Sequence, residues 1–199
     1  IVSTNGFLSL GGDNGHDCCD ASITEFLGNS FPRIAVAYYD LNPFFSGDIR
    51  SKEFSDHVTI LWNDVGEFDN AVFNLFQVQL YTSGRIVFGY EILYQNADSL
   101  GHRHHAIIGI TEAGGASDPG ESNYDADANP SDLPLDTLTV STVYEFFSRG
   151  PYGSTACGGD TFDVIDGENL CFIPNGTNGW NVTKDCQSDT GDWGWAHRI

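Results

Sequence analysis

Positive charge is the scarcest property of this chain. Its 199 residues carry 8 Lys and Arg against 28 Asp and Glu, a formal net charge of −20. Such a field repels nucleic acid and anionic membranes, so both are excluded as partners, and it attracts cations instead. The same excess of acid suits solubility in a salty medium. Long apolar runs are absent too, and none approaches the length a membrane span needs. The sequence begins at Ile1 without Met and without a signal peptide, which reads as a processed or excised piece of a longer precursor.

Several signatures of chemistry are also missing. No CxxC pair is present, which removes zinc-ribbon and thioredoxin spacing. No HExxH and no GxSxG elbow occur, and Gly11-Gly12-Asp13-Asn14-Gly15 fits neither GxGxxG nor a P-loop. No internal repeat is visible. With 28 carboxylates, a catalytic pair cannot be told from chance proximity. No organic cofactor is expected.

Apolar residues make up 40% of the chain and aromatic ones 13%, enough for a ring-rich core. Their spacing is that of strands. Ile1 to Thr4 and Phe7 to Leu10 flank Asn5-Gly6, a strong two-residue hairpin signal. Ile34 to Tyr39 is a nearly continuous apolar run, suited to a strand covered on both faces. His57 to Trp62 follows. Phe73 to Tyr81 and Arg85 to Leu93 flank the three-residue loop Thr82-Ser83-Gly84, with Gly where a left-handed residue is needed. His105 to Thr111 closes this set, and Ser22 to Leu27 suits a turn or two of helix.

From Glu112 to Asp136 the composition shifts to Gly, Ala, Ser, Asp, Asn and Pro, and apolar periodicity stops. Strand patterns resume at Leu138 to Phe147, Asn169 to Ile173 and Trp180 to Thr183. The expected fold is all-β: an antiparallel β-sandwich-like single domain over 1–199 with long loops. Residues 113–137 form an acidic loop in it, and 138–199 supply strands that complete it.

Cys18, Cys19, Cys157, Cys171 and Cys186 suit disulfides better than a metal ribbon. Adjacent Cys18 and Cys19 rarely bond to each other because the small ring strains the peptide, so they are expected to reach two partners in the C-terminal third. Each long closure would contribute about 3–5 kcal/mol. The fifth thiol is left free or joined to another chain. Asn175-Gly-Thr and Asn181-Val-Thr are N-glycosylation sequons in a Gly/Asn-rich stretch, and with the cysteines they favour a secreted or cell-surface setting.

The runs Val2-Ser3-Thr4-Asn5-Gly6-Phe7-Leu8-Ser9-Leu10-Gly11 and Ile34-Ala35-Val36-Ala37-Tyr38-Tyr39-Asp40-Leu41-Asn42-Pro43 resemble the opening of nidogen-like (NIDO) extracellular domains. Phe76 to Tyr81, Gly84 to Tyr90 and Ala106 to Ile110 are similar to the rest of that pattern in the same order, so the resemblance covers residues 1–112. It implies a β-rich module of matrix, adhesion or cell-surface proteins without family-wide catalytic residues. It transfers no active site.

Three constellations stand beside that reading. His102, His104 and His105 cluster in one short stretch. In a strand, His102 and His104 would share a side and could ligate a transition metal as the centre of a metal-dependent enzyme; as loop residues they would cap the next strand. Asp125, Asp127 and Asn129 hold positions 1, 3 and 5 of a twelve-residue oxygen-ligand loop that ends at Asp136, which suits calcium. Against that, Pro130 replaces the usual Gly, and a solvated acidic loop has the same composition. Trp180, Trp193 and Trp195 are flat rings beside Asp and Asn, as in a carbohydrate-binding module, and equally serve to pin the C-terminal segment to the core.

The expectation is a non-catalytic extracellular structural or adhesion module, a subunit of a surface or matrix assembly. It would associate with other chains, including its own copies, or with glycans. Strand edges, aromatic surface and cation-bridged acids would mediate this, with self-association strengthening as salt or calcium rises.

Overall fold

The computed structural model describes residues 1–12, 21–68, 72–94, 104–124, 136–137, 141–147, 165, 167–176 and 178–184. Among these, eleven strands and one short helix occur in the order β1 (Phe7–Ser9), α1 (Ile23–Gly28), β2 (Arg33–Tyr38), β3 (Asp48–Glu53), β4 (His57–Gly66), β5 (Phe73–Tyr81), β6 (Ile86–Ile92), β7 (Ala106–Thr111), β8 (Asp136–Thr137), β9 (Val143–Phe147), β10 (Asn169–Pro174) and β11 (Trp180–Thr183). They form two antiparallel sheets. One has the order β1-β2-β7-β9, and the other β3-β4-β5-β6-β10-β11-β8. The all-β sandwich expected from strand periodicity is what the chain adopts.

The inner faces of the sheets meet over one apolar layer. Ile34, Val36, Ile108, Ile110 and Phe147 of the smaller sheet pack with Ile60, Trp62, Phe76, Phe88, Tyr90 and Phe172 of the larger. Tyr90 donates its buried hydroxyl to the Val36 carbonyl at 2.7 Å, joining the layers by a polar contact as well. Burial raises the Tyr90 hydroxyl well above its ordinary range, so it is neutral when it donates.

The continuous apolar run of β2 has a direct cause. Its other face is covered by α1: Phe26 and Leu27 pack with Phe7, Ala35, Tyr38, Ile107 and Tyr144. That helix starts at Ser22, whose hydroxyl accepts from Glu25 N at 3.1 Å. A bulge within β2 lets Val36 N and Ala37 N both donate to Gly6 O at 3.0 Å. Gly6 has φ +74°, and a Cβ there would fall 1.9 Å from Ala37 O, so the Asn5-Gly6 turn admits only glycine.

β3 is the strand that apolar periodicity misses. Asp48-Ile49-Arg50-Ser51-Lys52-Glu53 has one apolar residue, yet it pairs with β4 over its whole length, from Asp48 opposite Asn63 to Glu53 opposite Val58. Ile49 alone reaches the core. As the outer strand of the larger sheet it carries charges, a common way of blunting a sheet edge. No helix among the described residues is long and apolar enough to cross a membrane; this says nothing about a β-barrel.

Candidate functional site

After β2 the Tyr39 ring is buried, but the two rings of the loop that follows it are not. Asn42-Pro43-Phe44-Phe45 forms a turn in which Phe45 N donates to Asn42 O at 3.2 Å and Asn42 Oδ1 accepts from Phe44 N at 2.9 Å. Asn42 N donates to Gly66 O at 2.8 Å, and Ser46 Oγ donates to Asp64 O at 3.0 Å. These bonds dock the loop onto the end of β4. Phe44 is 90% exposed and Phe45 54% exposed. The two rings meet edge to face at 6.0 Å, and Phe45 meets Phe68 in the same way at 6.3 Å. Phe68 is held in place by its N–H donating to Asp40 O at 2.8 Å.

Two further exposed rings stand at this end of the sandwich. Phe73 lies opposite Gly66 where β5 begins, and Tyr94 N donates to Asn74 Oδ1 at 2.7 Å just beyond β6. A contiguous apolar surface held on a rigid backbone is a feature that single scattered surface residues do not produce. Full cover by a partner would gain about 1.5–3 kcal/mol of apolar burial at Phe44 and roughly half that at Phe45 and at Phe68, which are already partly buried.

The electrostatics of this end are acidic. Segments 40–50 and 63–68 hold Asp40, Asp48 and Asp64 at the surface and Glu67 buried beneath it, against the single base Arg50. Arg50 Nε lies 2.9 Å from Asp48 Oδ2, and Asn63 donates to the other Asp48 oxygen at 3.0 Å. The Arg50 hydrogen bond, followed by that of Asn63, holds the Asp48 carboxyl below its usual value. Behind the surface, burial and then the charge of Glu67 push the Tyr39 hydroxyl well up. Tyr39 accordingly stays a donor, to Tyr94 O at 3.1 Å.

The opposite end of the larger sheet is built from similar residues with a different outcome. His57 is stacked between Phe54 at 4.4 Å and Tyr81 at 4.7 Å between ring centres. Lys52 Nζ sits 4.5 Å over Phe54 and Arg85 Cζ 4.0 Å over Tyr81, so a cation covers each outer ring. Asp56 Oδ1 lies 2.9 Å from His57 Nδ1, and this hydrogen bond holds the Asp56 carboxyl below its usual value.

The residues singled out in the sequence are distributed as follows. His102 lies outside the described residues. His104 and His105 are half-buried, His105 stacking on Phe146 at 5.2 Å. Among the described residues no group of three or more His, Cys, Asp or Glu is placed to hold a metal ion. Asp125, Asp127 and Asn129 are likewise outside the described residues, and Asp136 opens β8.

Cys171 is buried on β10 and disulfide-bonded, and Cys18, Cys19, Cys157 and Cys186 lie outside the described residues. Trp180 packs edge-on against Phe172 and donates its indole N–H to Ser141 O at 2.9 Å; Trp193 and Trp195 are outside the described residues. Asn175 and Asn181 are both half-buried. Asn175 Oδ1 accepts from Gly179 N at 3.1 Å in the turn between β10 and β11.

Neither the exposed ring surface nor the His57 stack was legible from strand patterns. A signal for the first did exist: Phe44 and Phe45 are adjacent between Pro43 and Ser46-Gly47, and adjacent residues of an extended chain face opposite ways, so one sheet face cannot hide both.

Comparison with known proteins gives one match. The family described as NIDO related matches residues 1–145, from β1 to most of β9, and so includes both ends of the β4–β5 pair. No curated protein matches, and no solved structure matches. The family consists of non-enzymatic modules that are typically extracellular, and its model spans well over half of the sequence. The chain belongs to the NIDO-related family.

Proposed function

We propose that the chain is a non-catalytic structural or adhesion module of an extracellular assembly, and that it works by binding another protein chain. The observation that carries this reading is the surface of Phe44, Phe45 and Phe68, whose backbone is fixed by hydrogen bonds to β4 while its rings stay uncovered. A scaffold that holds an apolar surface rigid loses little conformational freedom on binding. Bound calcium at the acidic loop and N-linked sugar at Asn175 and Asn181 are parts of the same proposal: both suit the secreted setting, and sugar on the β10–β11 turn would leave the aromatic end clear.

The experiment compares the wild-type chain with Phe44→Ser/Phe45→Ser, each coated on a surface and exposed to secreted matrix proteins. The wild type is expected to retain them and the double variant to lose most of the retention at an unchanged melting temperature. Equal retention by the two, or a turnover that follows the histidines, would contradict the reading.

A further inference from the structure

We infer that the aromatic end takes a cationic, apolar segment of a different protein, in which Lys or Arg side chains alternate with aliphatic ones. This rests on the reading of the chain as a protein-binding module and names the partner chemistry.

Two independent features of the same end point there. The first is the contiguous ring surface of Phe44, Phe45 and Phe68, with Phe73 and Tyr94 at the same end. Apolar side chains are needed to cover it. The second is charge. The segments that carry the rings hold three acids that reach the surface, Asp40, Asp48 and Asp64, and one base, Arg50, already tied to Asp48 at 2.9 Å; Glu67 is buried beneath them. Asp64 and Asp40 adjoin the rings through the backbone: Asp64 O accepts from Ser46 Oγ, and Asp40 O accepts from Phe68 N.

A partner that covered these rings with acidic flanks would bring negative charge against negative charge, and one with neutral flanks would gain nothing from the field. A basic one gains attraction and faster encounter. A second copy of this chain is the poorest occupant, because it too carries −20. Exposed aromatic faces also attract cations directly, which adds to the preference for Arg and Lys over neutral polar residues.

The test uses three synthetic peptides of equal length, alternating Lys–Leu, Lys–Ser and Glu–Leu, titrated by calorimetry into the wild-type chain and into Phe44→Ser/Phe45→Ser. Melting curves check that the variant is folded. The Lys–Leu peptide is expected to bind the wild type, to lose about tenfold or more in affinity on the double variant, and to weaken as salt rises. The other two peptides are expected to bind much more weakly. Equal binding of Lys–Ser and Lys–Leu, unaffected by the variant, would reduce the effect to bulk charge and overturn the inference. Equal binding of Glu–Leu would remove the charge requirement and overturn it as well.

Capture of phosphatidylcholine vesicles by the wild type but not the variant would make the rings a lipid anchor. A dimer seen by sedimentation, lost in the variant and strengthened by salt, would make the occupant a second copy. Either outcome overturns the inference. If Lys–Leu fails to bind while the double variant still loses retention of secreted proteins, the partner chemistry is wrong and the module reading survives.

Discussion

The two ends of the β4–β5 pair use the same kinds of side chain and reach opposite states. At one end Phe54, His57 and Tyr81 lie face to face, and Lys52 and Arg85 cover the outer rings. At the other, Phe44, Phe45 and Phe68 meet only edge to face, and no cation lies over them in any contact seen among the described residues. The difference lies in the backbone. Phe54, His57 and Tyr81 flank a tight turn and its neighbouring strand, which puts their rings in register, whereas Phe44 and Phe45 are consecutive in a loop and their ring planes stand at 78° to each other. A closed end spends its aromatic surface on the fold, and an open one keeps that surface for a partner.

The closed end depends most on its middle ring. His57→Ala removes the middle ring of the stack and leaves a gap between Phe54 and Tyr81. A loss of about 2–3 kcal/mol in unfolding free energy is expected in a denaturant titration. A loss under about 0.5 kcal/mol would show that the stack does not hold that end together.

Next in size is Gly47→Ala, which attacks the seat of the open loop. Gly47 has φ +81°, and a Cβ there would lie 2.4 Å from the Asp64 backbone. The strained backbone and the contact together should cost about 1–3 kcal/mol. Because the loop must shift, binding to a partner should fall along with stability, unlike in the ring variants. Unchanged stability and binding would show that the loop is not fixed by this contact.

The ring variants sharpen the contrast. Phe44→Ser should alter stability by about 0.5 kcal/mol or less, since a side chain that is 90% exposed gives up little burial. A melting temperature several degrees lower would mean that the open end is structural after all.

The smallest effect comes from a site near neither end. Burial first, and then Asp118, raise the Glu121 carboxyl above its ordinary value of 4.5. A raised carboxyl contributes stability that is fully present below about pH 4.5 and is lost as pH rises through its folded value. Glu121→Gln should therefore flatten that decline, gaining about 0.5 kcal/mol or less at pH 7 because solvent screens an exposed group, and should leave binding untouched. A steeper decline in the variant would reverse the assigned sign.

Much of the fold could be read directly from the chain, for reasons visible in single segments. The strand Phe73–Tyr81 has the expected bounds, Ile86–Ile92 lies one residue inside each end of the expected Arg85 to Leu93, and Gly84 between them takes φ +85° as the Thr82-Ser83-Gly84 loop requires. β3 escaped because its pairing is dictated by β4 and not by its own polar side chains. The aromatic end escaped for a related reason. Ring residues in a sequence look like core until the backbone shows which of them have no layer to enter. His57 shows the converse: an isolated histidine at a strand start carries no sign of the Phe54 and Tyr81 rings that enclose it.

The most direct test of the open end as the docking surface is amide hydrogen exchange, read residue by residue with and without the Lys–Leu peptide. Slower exchange is expected at 41–47 and 66–68, with no change at 54–57 and 81–84. Protection centred on 54–57 and 81–84, or spread evenly over the acidic surface, would contradict it.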